Sequence, residues 1–94
     1  MGTRERKVEQ YLRKRVQQEY PNSLVEKWGT DGNPDRIVFH KGKSYFCEIK
    51  TVDGSLQSNQ IRQIARIRDT GNIVFTLEGH KDVEWFVRML QRPL

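Results

Sequence analysis

Asp35, Glu48 and Lys50 are the residues of this chain whose types and spacing suit chemistry. Glu48 and Lys50 stand two apart in the run Ser44 to Lys50, which has strand character. Side chains alternate faces along a strand, so Glu48 and Lys50 point one way while Cys47 and Ile49 point the other. An isolated Glu-x-Lys is commonly a surface ion pair of small worth. Asp35 changes that reading. It enters the preceding strand directly after Gly32-Asn33-Pro34, where a hairpin register brings its carboxylate beside Glu48. Two carboxylates at close range repel and raise each other's proton affinity, and a divalent cation resolves the conflict. Carboxylates with a backbone carbonyl and water suit Mg²⁺ or Mn²⁺, and nothing here offers the Cys/His set that zinc prefers. Pro34 fixes a backbone angle ahead of Asp35 and helps to aim it. The plainer alternative for Gly-Asn-Pro-Asp is a turn, where aspartate is common anyway.

Further candidates surround this set. Glu5 and Glu9 fall on the apolar stripe of the first helix, where a carboxylate is costly unless it is paired, bound to a metal or reaches solvent at the stripe's edge. Glu9 is nearer the middle of the helix and is the better metal-site candidate; Glu5 stays a possible helix carboxylate. Gln60, in the first turn of a later helix, is placed to bond a phosphate or a water, since helix N-termini attract phosphate. Arg62 and Arg66, one turn apart on that helix, form a phosphate-contact pair or a solvated surface.

The elements that must position these residues follow from periodicity. Val8, Leu12, Val16 and Tyr20 mark an amphipathic helix over residues 4–19, with Thr3 as its cap and Pro21-Asn22 as its stop. Leu24 to Trp28, Arg36 to His40 and Ser44 to Lys50 read as strands, the last two joined by the tight turn Lys41-Gly42-Lys43. After a polar loop (Val52 to Gln57), Ser58 caps a helix that runs to about Asp69 and ends at Gly71. Asn72 to Leu77 is a fourth strand. Residues 80–91 form a last helix through Val83, Phe86, Val87 and Leu90. The order αβββαβα, with a helix between the hairpin and the fourth strand, implies an α/β fold with a mixed four-stranded sheet flanked by helices.

Composition sets the class of partner. The 94 residues suffice for one domain, residues 1–94, because a second core could not be filled. No apolar run approaches the roughly 18 residues needed to span a bilayer, and the charged start argues against a signal peptide. The lone Cys47 allows no intrachain disulfide, so a reducing cytoplasm is the expected compartment. A net charge of +5 makes nucleic acid the first partner to consider.

The ordered motifs resemble the PD-(D/E)XK nucleases, and in detail their VRR-NUC (virus-type replication–repair nuclease) branch. They are the helix Glu5-Arg6-Lys7-Val8-Glu9-Gln10-Tyr11-Leu12, the turn Gly32-Asn33-Pro34-Asp35-Arg36, the run Phe46-Cys47-Glu48-Ile49-Lys50, and Gln60 opening a helix. The resemblance covers nearly the whole chain and is closest to stand-alone phage and bacterial members. It implies a restriction-endonuclease-like core, and hydrolysis of DNA phosphodiesters with Mg²⁺ or Mn²⁺ in a bacterial or phage-infected cell. The substrates it implies are often branched, such as Holliday junctions, cut by homodimers. By position, Asp35 and Glu48 hold metal with the Ile49 carbonyl, Lys50 orients or activates water, Glu9 or Glu5 is the helix carboxylate and Gln60 the helix glutamine. Arg36, Ser58, Arg62 and Arg66 are the candidate DNA contacts. One run departs from the family: Gln57-Ser58-Asn59-Gln60 replaces the frequent Ser-Pro-x-Gln.

The rival reading is a non-catalytic basic DNA-binding module. Such a module has no use for carboxylates converging beside a phosphate path, since these repel DNA. A protein-interaction domain built on the two tryptophans has no specific support. Trp28, Trp85 or Met89 could supply a dimer contact, though each is as readily core. His40 and His80 have no partner at ligand spacing and are expected at the surface or as caps. Cys47 faces away from the proposed site and is expected to pack in the core.

Overall fold

The computed structural model describes residues 3–28, 34–50 and 55–92, without the Thr3 side chain. The expected Thr3 cap, the turn at 29–33 and the loop start at 51–54 lie outside them. The chain runs α1 (Thr3–Glu19), β1 (Leu24–Lys27), β2 (Arg36–His40), β3 (Lys43–Lys50), α2 (Ser58–Asp69), β4 (Val74–Glu78) and α3 (Gly79–Met89). The sheet order is β1-β2-β3-β4, antiparallel except for the parallel pair β3–β4. This is the mixed sheet that the order of elements required, since a parallel neighbour needs a crossover and α2 supplies it.

The register between β2 and β3 is set by their turn. His40 pairs with Lys43 across a two-residue loop in which Lys41 has φ 50 and Gly42 φ 79. Positive φ at both central residues is the type I′ geometry that matches the twist of a hairpin, and it makes glycine useful at position 42. Lys43 therefore belongs to β3, one residue earlier than the sequence pattern predicts.

One face of the sheet carries the main core. Val25, Val38, Tyr45, Cys47, Ile49 and Leu77 pack there against Val8, Leu12 and Val16 of α1 and Val83, Phe86 and Val87 of α3. Burying side chains of this size contributes roughly 1.5–3 kcal/mol each. Val74 points to the other face, where Ile64 of α2 is buried as well. The two faces of the β3 strand thus differ in surroundings: Tyr45, Cys47 and Ile49 are core, while Glu48 and Lys50 face the α2 side.

Two local expectations change, and the suggested dimer-contact residues find their places. His40 is buried, not at the surface; Ser23 Oγ lies 2.6 Å from its Nδ1, and its Nε2 donates to the Leu90 carbonyl at 3.0 Å. A polar ring fits this inward strand position because both of its nitrogens are satisfied. The cap of α2 is Gln57 instead of Ser58: its backbone is extended, and its N–H donates to Gln60 Oε1 at 2.8 Å. Of the three suggested dimer-contact residues, Trp85 is about half exposed, Trp28 leans on Phe46 and Met89 packs against the core. No helix among the described residues is long and apolar enough to cross a membrane.

Candidate active site

The hairpin register builds the centre of the site. Arg36 pairs with Cys47, so one further step places Asp35 opposite Glu48. Asp35 is held on three sides. Its Oδ2 accepts the Ile49 N–H at 3.0 Å, and its carbonyl accepts from the Trp28 N–H at 3.1 Å and from Arg36 Nη1 at 3.1 Å. Pro34, fully buried ahead of it, completes the clamp.

Glu48 is 1% exposed, and neither of its carboxylate oxygens has a hydrogen-bond partner among the described residues. Burial, followed by the adjoining Asp35, pushes its carboxyl up to about 9 from an ordinary 4.5. A buried acceptor left unmatched costs about 1–3 kcal/mol, and a charged one more. The position is therefore unfavourable as it stands and favourable with a cation or a proton between the two carboxyl groups.

Lys50 follows on the same face. Its Nζ donates to Glu78 Oε1 at 3.0 Å, the residue directly opposite it on β4. Glu78 was not foreseen from the sequence, because the register of a parallel pair joined through a helix has no local signal. Its own N–H is fixed by Asp82 Oδ2 at 2.8 Å, which ties the strand end to the first turn of α3.

A cavity of about 320 Å³ opens over these residues, bordered by Glu5, Asp35, Ile49, Lys50, Gln57 and Gln60. Glu5 thus reaches the site from α1 while Gln60 reaches it from the start of α2. Glu9, one turn along α1, is placed otherwise: it is 7% exposed, and its Oε2 takes Arg36 Nη2 at 2.6 Å. Its other oxygen has no partner, and burial raises its proton affinity, with Asp35 and Glu5 adding to the rise against Arg36 and Lys27. Arg36 is turned inward onto Glu9, only 14% of its side chain exposed, so it braces α1 against the strand that carries Asp35. Ser58, Arg62 and Arg66 lie exposed along α2.

The donor set suits a hard cation. Two facing carboxylates and the Ile49 carbonyl are oxygen donors of the kind Mg²⁺ and Mn²⁺ take, with water filling the remaining positions. Cys47 is sealed in the core on the opposite face, and burial pushes its thiol far above the ordinary range. His80 stacks on Tyr11 and His40 is spent on Ser23 and Leu90. Among the described residues no three acidic, histidine or cysteine side chains are grouped so as to hold a metal ion, so the protein's side-chain donors are Asp35 and Glu48 alone.

No family model matches the chain, and no curated protein does. A solved structure of a VRR_NUC domain superposes on it with a TM-score of 0.79 and 29% identity, over 93% of this chain and 97% of that one. The chain has the architecture of a VRR-NUC domain. The match spans both chains almost end to end, so the whole αβββαβα order is VRR-NUC architecture with its restriction-endonuclease-like core. Within that frame the run Gln57-Ser58-Asn59-Gln60 starts its helix without the proline often found there. The N–H of Gln57 caps onto Gln60, so the oxygen of that carboxamide is engaged and its amino group remains for the cavity.

Proposed function

We propose that this chain is a metal-dependent DNA endonuclease that hydrolyses phosphodiester bonds, with Asp35, Glu48 and Lys50 as its centre. The observation that carries the reading is Glu48, a buried carboxylate with both oxygens unmatched beside a second carboxylate. A strand position that served only the fold would hold an apolar residue there, as Cys47 and Ile49 do on the other face.

Asp35, Glu48 and the Ile49 carbonyl hold Mg²⁺ or Mn²⁺ in this proposal, with the helix carboxylate supplied by Glu5, which borders the cavity, or by Glu9 behind it. The cation supplies positive charge to the scissile phosphate oxygens and acidifies water there. Lys50 holds the attacking water or the charge that grows on the phosphoryl oxygens, and Glu78 keeps its ammonium in place. Gln60 donates its amide to the phosphate, and the N–H groups at the start of α2 favour the same negative charge. Arg62, Arg66 and Ser58 on the exposed face of α2 contact neighbouring phosphates, which are read for position and not for sequence. Arg36 acts through Glu9 and Asp35, as a positioning residue.

The substrate in this proposal is branched DNA of the Holliday-junction kind, cut by a homodimer in the cytoplasm of a bacterial or phage-infected cell. One centre cuts one strand, and a twofold dimer presents two centres at a fixed spacing. The test is a labelled four-way junction and a matched linear duplex, each with Mg²⁺, with Mn²⁺ and with EDTA, beside Lys50→Ala. Symmetric metal-dependent cuts in the junction alone, lost in the variant, are expected. Cutting of both DNAs would withdraw the selectivity. Binding without cleavage under every condition would leave a basic DNA-binding module instead.

A further inference from the structure

A second cavity lies at the far end of β2 and β3. It holds about 450 Å³ and is bordered by His40, Lys41, Lys43, Tyr45, Gln91 and Arg92. Among the described residues no carboxylate borders it. Several cations elsewhere are engaged: Arg15 by Glu84 and Glu19, Arg36 by Glu9, Lys50 by Glu78. Lys41, Lys43 and Arg92 have no side-chain hydrogen bond or ion pair among the described residues. Three uncompensated like charges around one hollow repel each other, and an anion placed among them removes the repulsion.

Tyr45 offers a further donor. It is only 5% exposed, its ring packed on Phe75 and Phe86, yet its hydroxyl has no partner among the described residues. Tyr45 borders the cavity and its hydroxyl is not sealed from solvent, so it is able to donate to an anion held there. His40 forms a wall and no more, because Ser23 and the Leu90 carbonyl occupy its nitrogens. Its bond to Leu90 also engages a carbonyl at the negative end of α3, which would otherwise oppose an anion. Glu19 borders the adjoining hollow but is held by Arg15.

We infer that this cavity binds a phosphate of DNA through Lys41, Lys43 and Arg92, with the Tyr45 hydroxyl donating. The inference rests on the proposed function in that DNA is the substrate, but it assigns no part in the cutting. Seven residues of β3 separate Lys43 from Lys50, about 23 Å at roughly 3.3 Å per residue. That is about seven base-pair steps of roughly 3.4 Å. The cavity is a second point of attachment, well away from the cut. Its phosphate is either a phosphodiester of the backbone or a monoester at a strand end.

The test measures binding in EDTA, so that cleavage plays no part, as Kd against salt between 50 and 200 mM. Wild type is compared with Lys41→Ala/Lys43→Ala/Arg92→Ala and with Tyr45→Phe, after thermal melts establish that each is folded. Each neutralised phosphate contributes about −0.9 to the slope of log affinity on log salt. The triple variant is expected to lose about 2–3 from that slope, and Tyr45→Phe to bind several-fold more weakly with the slope unchanged. With metal restored, both variants should keep the wild-type rate at saturating DNA while KM rises. Closed dumbbell DNA and linear duplexes with 5′-phosphate or 5′-hydroxyl ends separate the sources. A deficit on the dumbbell assigns a backbone phosphodiester; one confined to phosphorylated ends assigns a monoester. An unchanged slope in the triple variant, with wild type binding normally, overturns the inference alone. Failure of wild type to bind any of these DNAs overturns it together with the nuclease reading.

Discussion

Replacing Glu48 with Gln should stabilise the metal-free protein more and more as the pH rises. The glutamine keeps the shape and removes the charge. In the folded chain burial and Asp35 hold the Glu48 carboxyl up at about 9, against 4.5 for the ordinary group. Between those values the folded state carries a proton that the unfolded state has released. Stability from this group is therefore complete below about pH 4.5, falls through the neutral range and is lost above about 9. One proton per molecule sets a slope of about 1.4 kcal/mol per pH unit, so that wild type should lose about 2.7 kcal/mol between pH 5.5 and 7.5. In a domain of this size such a loss lowers Tm by on the order of 10–20 °C. Glu9 shifts in the same direction, but it is present in both proteins and cancels in the difference. Thermal unfolding by circular dichroism at pH 5.5, 6.5 and 7.5 in EDTA reads the effect. Millimolar Mg²⁺ should flatten the wild-type profile by taking the place of the proton, and leave that of Glu48→Gln nearly unchanged. Parallel pH profiles for the two proteins in EDTA would refute the reasoning, because Glu48 would then be ionised and matched by something else.

Three further outcomes follow from particular contacts. Glu78→Gln should lower the cleavage rate roughly tenfold with KM little changed, since it loosens Lys50 without touching the DNA path; an unaltered rate would show that Lys50 needs no support from β4. His40→Ala should destabilise the fold by about 1–3 kcal/mol, because Ser23 and the Leu90 carbonyl lose their partner; urea unfolding measures it, and cleavage per folded molecule should not change. Phe86→Ala should cost about 3–5 kcal/mol, as Phe86 is wholly buried with its ring against Tyr45 of β3 and Phe75 of β4; a loss under about 1 kcal/mol in urea unfolding would mean that α3 is not part of the core.

The parts of the site legible in the sequence are those fixed by strand alternation and by a short hairpin. Period two put Glu48 and Lys50 on one face and Cys47 on the other; the pairing of Asp35 with Glu48 depends on the two-residue loop Lys41-Gly42, where the sequence pattern suggests a three-residue turn. The order of elements gave the mixed sheet for the same reason: a helix between the hairpin and the last strand leaves a parallel neighbour as the simple outcome. Helical period could not separate Glu5 from Glu9, because residues four apart share a face. What separates their surroundings is the tertiary position of Arg36, which takes Glu9 and leaves Glu5 at the cavity. Glu78 was illegible because α2 intervenes, and nothing local sets the register between β3 and β4. For His40 the capping alternative fits and the surface one does not, because the sequence shows a polar residue in a strand but not that the carbonyl at the end of α3 satisfies it.

The site is a consequence of register before it is a consequence of residue choice. Shift β3 by one residue against β2, and Asp35 would face Cys47 or Ile49 while Glu48 entered the main core. The fold resists that slip at both ends of the hairpin. At the turn, Lys41 and Gly42 close a two-residue loop that admits one pairing only. At the open end, Asp35 Oδ2 bonds the Ile49 N–H, so the catalytic candidate itself pins the strand that carries its partner. The two restraints differ in their cost to function. Loss of the first acts on stability, because the apolar alternation still favours the native face. Loss of the second removes an aspartate whose carboxylate both fixes β3 and faces Glu48. An Asp35→Asn variant keeps an oxygen for Ile49 and gives up one charge next to Glu48. It should therefore fold at least as well as wild type without metal, and bind Mg²⁺ far more weakly, so a Tm rise with added Mg²⁺ is expected in wild type alone. An equal Mg²⁺-dependent rise in the variant would mean that the cation site lies elsewhere and that Asp35 serves the register only.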